Sequence, residues 1–464
     1  MGPTKFAVSL FIAAFAAGCS LTPDYFRPDV PVPRTFTTKS TAAAPTIDLE
    51  WWRAFRNRTL TRLVTEANAD NTDIAAAVRR VEQARASFRI ARASLFPAIE
   101  ATGNAAITRT NPRGEAATTT RTYRAGAALD FDLDIFGGNR AATASARADV
   151  ASRHFDREAV ELAIQSEVAI TYMSLLLARE RLRIARETIG NFEEVLRIAQ
   201  ARFEAGAATT LDISQQRSAL ATARAASAEF LEQVRNAENA LAVLVGDAAG
   251  TLKVNGSGLS ALRVPRIGTG QPAALLYRRP DVRRAEADLI AANADIGVAR
   301  AALFPSLGLD LDAAIANNPV TTTISLGSSL LAPIFQGGRL RAGVRLSEAR
   351  KAELVEVYRK TVLVALQEVE DALAAVRAAQ QRIAALGTAL EEARNAYRLS
   401  RIQYEAGAID FQTLLDAQRT LFNAEEDLAF ARFDRLVAAV ELVRALGGGW
   451  VEQQAMIALY QFAA

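Results

Sequence analysis

Five aspartates fall on alternate residues in two separate stretches: Asp130, Asp132 and Asp134 in one, Asp310 and Asp312 in the other. Side chains two residues apart share one face of a β-strand, so each stretch would line a face with carboxylates. Such carboxylates stay ionised in water, and a row of them facing a pore attracts cations. No catalytic constellation competes with this reading. His154 is the single histidine and stands in a polar helical stretch between Arg153 and Phe155. Cys19 is the single cysteine, so the chain offers no His/Cys cluster for a transition metal and no Cys–His pair for nucleophilic attack. Methionine occurs only at positions 1, 173 and 456, which gives no Met-rich lining for a soft metal. These residues predict no enzyme, no metal site and no non-covalent cofactor.

The aspartates belong to alternating segments. After Pro97, Ile99, Ala101, Gly103, Ala105 and Ile107 alternate with Glu100, Thr102, Asn104 and Thr108. Tyr123, Ala125, Ala127, Leu129, Phe131, Leu133 and Ile135 then alternate with Arg124 and the first three aspartates. Leu307, Leu309, Leu311, Ala313 and Ile315 alternate with Asp310 and Asp312; a loop at Asn317, Asn318 and Pro319 leads to Ile324, Leu326, Ser328 and Leu330. The pattern predicts two β-hairpins, at about 98–136 and 306–335. Each segment reaches the ~9–11 residues that a tilted strand needs to cross a bilayer. Two surface hairpins packed on helices are the plainer alternative, but an isolated hairpin is marginal in water. A membrane barrel with a wet interior accounts for both faces. Four strands cannot close a barrel and lipid does not tolerate open edges, so several chains must contribute four strands each.

The rest of the chain is helical and duplicated. Arg197 to Leu220, RIAQARFEAGAATTLDISQQRSAL, returns at Arg398 to Leu421 as RLSRIQYEAGAIDFQTLLDAQRTL. In each copy a helical pattern stops at a glycine, Gly206 or Gly407, and a second pattern starts within a few residues. That is a helix-hairpin tip, at about 204–212 and 405–413, with Thr209 or Thr210 and Asp410 as N-caps. Leu95-Phe96-Pro97 likewise recurs as Leu303-Phe304-Pro305, and IFGG at Ile135 recurs as IFQGG at Ile334. From Ala141 to Phe203 the pattern stays helical, with a possible break at Gly190-Asn191, and a continuous helix of that length spans roughly 95 Å. Its narrow apolar stripe, from Val160 through Leu175 to Phe203, suits helices packed side by side in a coiled-coil-like tube.

The chain has 464 residues, with 54 basic and 51 acidic side chains interspersed along the helices. That is a solvated helix face rather than a nucleic-acid patch, so no nucleic-acid partner is expected. Residues 1–18 read as a secretory signal, ending in Ala16-Ala17-Gly18 before Cys19. Small residues before a lone cysteine suit a bacterial lipoprotein signal, with the mature chain starting at a diacylated Cys19; Ala16 departs from the Leu usual there. Residues 19–50 hold Pro23, Pro28, Pro31, Pro33 and Pro45 and read as an extended, lipid-anchored tether, and Trp51 and Trp52 begin the packed part. Beyond the signal, no apolar run of 18 or more residues predicts a transmembrane helix. The repeat units are expected at 51–262 and 263–450, with a tail at 451–464.

LTPDYFRPDVPVP after Cys19, LYRRPDVRRAEADLIAANADIGVARAALFPSL (Leu276 to Leu307), IFQGGRL, and QYEAGAIDFQTLLDAQRTLF (Gln403 to Phe422) resemble one family. It is the outer-membrane factors of bacterial tripartite efflux pumps, in the lipoprotein branch of TolC-like channels, and the resemblance covers nearly the whole chain. It implies a mainly α fold with a membrane β-barrel: a homotrimer whose twelve strands form one barrel, continued by an α-helical barrel through the periplasm. It also implies that the tips, with Gly206, Asp212, Gly407 and Asp410, engage a periplasmic adaptor and an inner-membrane RND-type transporter. Gln412, Asp416 and Arg419 fall where the family narrows its periplasmic entrance, either as a gate closed by Asp416 and Arg419 or as a plain surface ion pair. A TolC-like duct for secreted protein and a non-conducting envelope spacer are the alternatives. Substrate choice is expected to rest with the inner-membrane partner.

Overall fold

The computed structural model describes residues 20–37, 48–114, 116–255, 258–268, 270–317 and 320–449. Cys19, the expected signal at 1–18 and the tail at 451–464 lie outside the described residues.

The duplication is visible element by element. A first helix, α1, spans Arg58–Asp70, and α2 spans Thr72–Ala93. Strands β1 (Ala98–Thr110) and β2 (Thr118–Asp132) follow, then α3 (Gly138–Glu204) and α4 (Thr210–Leu244). The second copy gives α5 (Pro280–Ala301), β3 (Ser306–Ala316), β4 (Thr321–Leu331), α6 (Arg339–Glu405) and α7 (Phe411–Ala445). Equivalent helices have equal lengths: 22 residues for α2 and α5, 67 for α3 and α6, 35 for α4 and α7. At ~1.5 Å per residue the two long helices each run about 100 Å. Helix α3 passes through Gly190 without a break, because one glycine removes propensity but no backbone hydrogen bond.

The chain forms two compact units, and both copies contribute to each. Unit 1 comprises the described residues within 20–30, 79–155 and 283–361. It contains a four-stranded antiparallel sheet in the order β1-β2-β3-β4. The recurring motifs meet beside the sheet: Phe136 of IFGG stacks on Phe304 of the second Leu-Phe-Pro, with ring centroids 4.7 Å apart. Residues 20–30 have no regular structure, as the prolines predict, yet they are tied to α5. Arg27 donates from Nε and Nη2 to the two Glu286 carboxylate oxygens at 2.6 and 2.9 Å. Asn293 Nδ2 donates to the Pro23 carbonyl at 2.7 Å, and Thr22 packs against Gly297, where a Cβ would collide with it.

Unit 2 comprises the described residues within 31–78, 156–282 and 362–449. Trp51, Trp52 and Phe55 are buried with Leu60, Leu63 and Val64 of α1 against Val168, Tyr172, Leu175 and Leu176 of α3 and Leu241 of α4. This explains the one stretch of α3 that is apolar enough to cross a bilayer: half of it is buried, in a protein core. Arg181 of α3 lies in the same unit, its guanidinium 4.0 Å from the Phe230 ring centroid of α4 and 4.7 Å from that of Phe430 of α7. Its Nε donates to Glu426 Oε2 at 2.7 Å and its Nη1 to Gln233 Oε1 at 3.0 Å, so one cation joins three helices.

Candidate functional site

The register of unit 1 sorts the sheet into two faces. Directly opposed residues in an antiparallel ladder share a face. Asp130 opposes Asp310, Ala128 opposes Asp312, and Arg124 opposes Ala316. Carrying the same parity outward puts Glu100, Thr102 and Asn104 of β1 and Thr323, Ser325 and Ser329 of β4 on that face. Within it Arg124 Nη2 donates to Asp312 Oδ1 at 2.7 Å. The opposite face carries Ile99 and Ile107, Tyr123, Leu129 and Phe131, Leu307, Leu311 and Ile315, then Ile324, Leu326 and Leu330.

That apolar face is uncovered: Ile324 and Leu326 are 74% and 79% exposed, and Ile99, Ile107 and Leu330 are close behind. Removing one such side chain from water contributes roughly 1.5–3 kcal/mol. The five together amount to on the order of 10 kcal/mol, comparable with the whole stability of an ordinary domain. An apolar solvent on this side and water on the other satisfy both faces. Strands β1 and β4 are the sheet's edges, 13 and 11 residues long, and each presents a row of amides and carbonyls with no strand partner among the described residues.

Asp134 does not belong with the other four aspartates. Strand β2 ends at Asp132, and Asp134 adopts φ +32° in the turn before α3. Its carboxylate accepts from the backbone amides of Asn139 and Arg140, both at 2.9 Å, and pairs with the Arg140 side chain at 3.3 Å. Alternation in sequence outran the strand. Free amides at a helix start attract a carboxylate, and that competing demand fixes Asp134.

The tips close as the glycines predict. At the end of α3, Gly206 has φ +74°, its amide donates to Phe203 O at 2.9 Å and the Ala207 amide to Arg202 O at 2.7 Å. Gly407 repeats this at the end of α6, with φ +77° and bonds of 3.0 and 2.8 Å to Tyr404 O and Gln403 O. Both are left-handed caps that give partners to two of the last carbonyls of each helix. Thr209 and Asp212 cap α4 reciprocally: Thr209 Oγ1 accepts from the Asp212 amide at 3.3 Å and Asp212 Oδ2 from the Thr209 amide at 2.9 Å. Asp410 caps α7 by accepting from the Thr413 amide at 2.8 Å, and the Thr413 hydroxyl first, with that amide, holds its carboxyl below the usual carboxylate range. The first tip rests on the second through Arg202, whose guanidinium lies 4.5 Å from the Tyr404 ring centroid and donates to the Tyr404 carbonyl.

Gln412, Asp416 and Arg419 form one exposed stripe on α7, opposite the buried Phe411, Leu414, Leu415 and Gln418. The intrachain ion pair is not made. Gln412 Nε2 donates to Asp416 Oδ1 at 3.0 Å instead, and Arg419 has no ion-pair partner among the described residues. An amide one helical turn away reaches the carboxylate and leaves the Arg419 side chain in solvent.

A sequence profile of the outer membrane efflux protein family matches residues 63–247 and 272–448. The chain belongs to the outer membrane efflux protein family. It is 38% identical over 458 residues to the pyoverdine export outer membrane protein OpmQ of Pseudomonas aeruginosa, covering 96% of this chain and 97% of the relative. It is 32% identical to the cation efflux system protein CusC of Escherichia coli O6:H1, covering 97% and 100%. The solved outer-membrane channel OprN superposes with a TM-score of 0.86 at 28% identity, covering 93% of this chain and 100% of that one.

As an outer membrane efflux protein, this chain places its two-faced sheet in the membrane. The sheet register brings Asp130, Asp132, Asp310 and Asp312 onto one face and leaves Asp134 at the root of α3. The Arg124–Asp312 pair went unread in the sequence, although the alternation puts Arg124 on the aspartates' side; its partner needed the β2–β3 register.

Proposed function

We propose that three copies of this chain assemble into one exit duct. Strand β4 of each copy pairs with β1 of the next, so that twelve strands close a barrel in the outer membrane and the helices continue the passage into the periplasm. The observation that carries this reading is the matched parity of all four strands together with two long open edges. An unpaired edge in hydrocarbon costs several kcal/mol for each unsatisfied group, so closure through neighbouring copies is what a bilayer demands. Water and the four aspartates then occupy the inside.

The duct passes small toxic compounds handed on by an inner-membrane RND-type transporter and a periplasmic adaptor. The adaptor meets the two helix tips around Gly206, Asp212, Gly407 and Asp410. Relatives named for export of pyoverdine, toluene and cations match this chain over nearly its whole length while differing in cargo, which supports a duct whose cargo is chosen elsewhere. Cys19 carries the lipid anchor. Gln412, Asp416 and Arg419 ring the periplasmic entrance.

Single-channel recording of the purified full-length protein, with native mass measured on the same sample, tests the duct. Three-chain particles that conduct are expected. Particles that do not conduct would restore the spacer reading. Mass spectrometry of the mature N-terminus tests the anchor, with a diacylated Cys19 as the expected result.

A further inference from the structure

The apolar face of the sheet carries two charges, and both are arginines. Register places Arg121 of β2 opposite Ile107 and Arg109 of β1 opposite Thr119, so the two lie diagonally adjacent, about 7–8 Å apart. Neither makes an ion pair with a described residue. No carboxylate lies on this face in any of the four strands; the Asp and Glu residues of the sheet all occupy the other parity. There the cation Arg124 is paired with Asp312, whereas neither Arg109 nor Arg121 has a carboxylate partner among the described residues.

Their height on the sheet is equally specific. Phe131 and Ile99 mark the end of the apolar band nearest the helices, and Tyr123 of β2 with Ile107 of β1 marks the other. From Phe131 to Arg121 is ten residues of β2. That is about 33 Å along the strand and, at a tilt of ~40°, about 25 Å along the membrane normal. The apolar band of a membrane barrel is itself about 25 Å tall. Arg109 and Arg121 therefore stand at its far margin, just beyond an aromatic ring, where a charge on the lipid face is nearly free of penalty. Strands β3 and β4 end at Ala316 and Thr321, with Asn317 still bonded to Tyr123, so among the described residues the strands at this margin are those of the first hairpin.

We propose that Arg109 and Arg121 form a phosphate clamp for an anionic, phosphorylated glycolipid of the outer leaflet, whose acyl chains lie on the apolar face below. Two guanidinium forks at this spacing present donors to one phosphate from two sides, which a compact ammonium group does less well. Tyr123 and Ile107 meet the start of the acyl chains. In the trimer three such clamps ring the barrel. The inference rests on the barrel reading above.

The test uses the full-length protein in detergent and native mass spectrometry with bis-phosphorylated lipid A, its dephosphorylated form, and inorganic phosphate. Wild type is expected to retain the phosphorylated lipid about tenfold better than the dephosphorylated one, with no displacement by inorganic phosphate at equal concentration. Arg109→Gln with Arg121→Gln is expected to lose that preference while still forming conducting trimers; Arg109→Lys with Arg121→Lys is expected to keep part of it. Equal retention of the two lipids by wild type, an unchanged preference in the Gln variant, or displacement by inorganic phosphate overturns the clamp. Conducting wild-type trimers with no lipid preference overturn the clamp alone, whereas the absence of any conducting trimer overturns the barrel reading and the clamp with it.

Discussion

Asp130 of β2 stands directly opposite Asp310 of β3, one carboxylate from each copy of the duplicated sequence. Like charges directly opposed across a ladder are destabilising, by about 0.2–1 kcal/mol. The register holds because the same two strands set Leu129 against Leu311 and Phe131 against Leu309 on the other face. A slip of one residue would send every apolar side chain into water. Replacing Asp130, Asp132, Asp310 and Asp312 by Asn is expected to bring the cation-to-anion permeability ratio of the open pore close to one. A ratio that stays at the wild-type value would remove these residues from the permeation path.

Asp134 supplies the control. Its carboxylate caps α3 by accepting two backbone bonds, so Asp134→Ala is expected to lower thermal stability, by about 1 kcal/mol at the helix start, and to leave ion selectivity alone. A selectivity change matching that of the Asp130 variants would show that the side chain also faces the pore.

This contrast marks what the sequence makes legible. Period-two alternation located four strands and their faces, because parity depends on nothing beyond the chain itself. The glycine tips were legible for the same reason: a left-handed cap is a local demand, met at Gly206 and Gly407. Alternation says nothing of where a strand ends, so Asp134 was grouped with residues whose environment it does not share. The tether was expected to be extended, yet its docking through Arg27 and Glu286 joins residues 259 apart. The stacking of Arg181 between Phe230 and Phe430 depends on three helices meeting and leaves no periodic trace.

Glu426, the partner of Arg181, gives a pH prediction. Burial pushes its carboxyl above the usual carboxylate range, more than Arg181 pulls it down, and the nearby Asp427 and Glu229 add to the rise. A carboxyl raised in the folded state holds its proton more tightly there than when unfolded. Its contribution is fully present below the ordinary carboxylate pKa and is lost as pH rises through the higher folded value. Glu426→Gln keeps the shape and does not titrate. The variant is expected to match wild type in thermal stability at the acid end and to exceed it near neutrality. If the ion pair dominates instead, the Gln variant falls below wild type near pH 7, by as much as the ~3–5 kcal/mol typical of breaking a buried pair.

Within one chain Asp416 is held by Gln412, and Arg419 reaches no described carboxylate, so a local ion pair does not explain why both charges are there. Nor does helix packing, since both lie on the exposed side of α7, away from Leu414 and Leu415. The first copy is informative: the aligned positions on α4 are Gln215 and Ser218, so the fold tolerates neutral residues there and only the second copy carries charge. Around a threefold axis three Asp416 side chains would repel unless cations from neighbouring chains meet them, and Arg419, on the same exposed stripe, is a cation with no ion-pair partner among the described residues. Such a latch, made between chains and partly dried by their approach, is stronger than a surface pair of about 0–1 kcal/mol. Asp416→Ala and Arg419→Ala are therefore each expected to raise the resting single-channel conductance, and the double variant to raise it no further than the larger single effect. Additive effects would mean that the two act on separate partners. A resting conductance unchanged in all three variants would leave Asp416 and Arg419 as solvated surface residues.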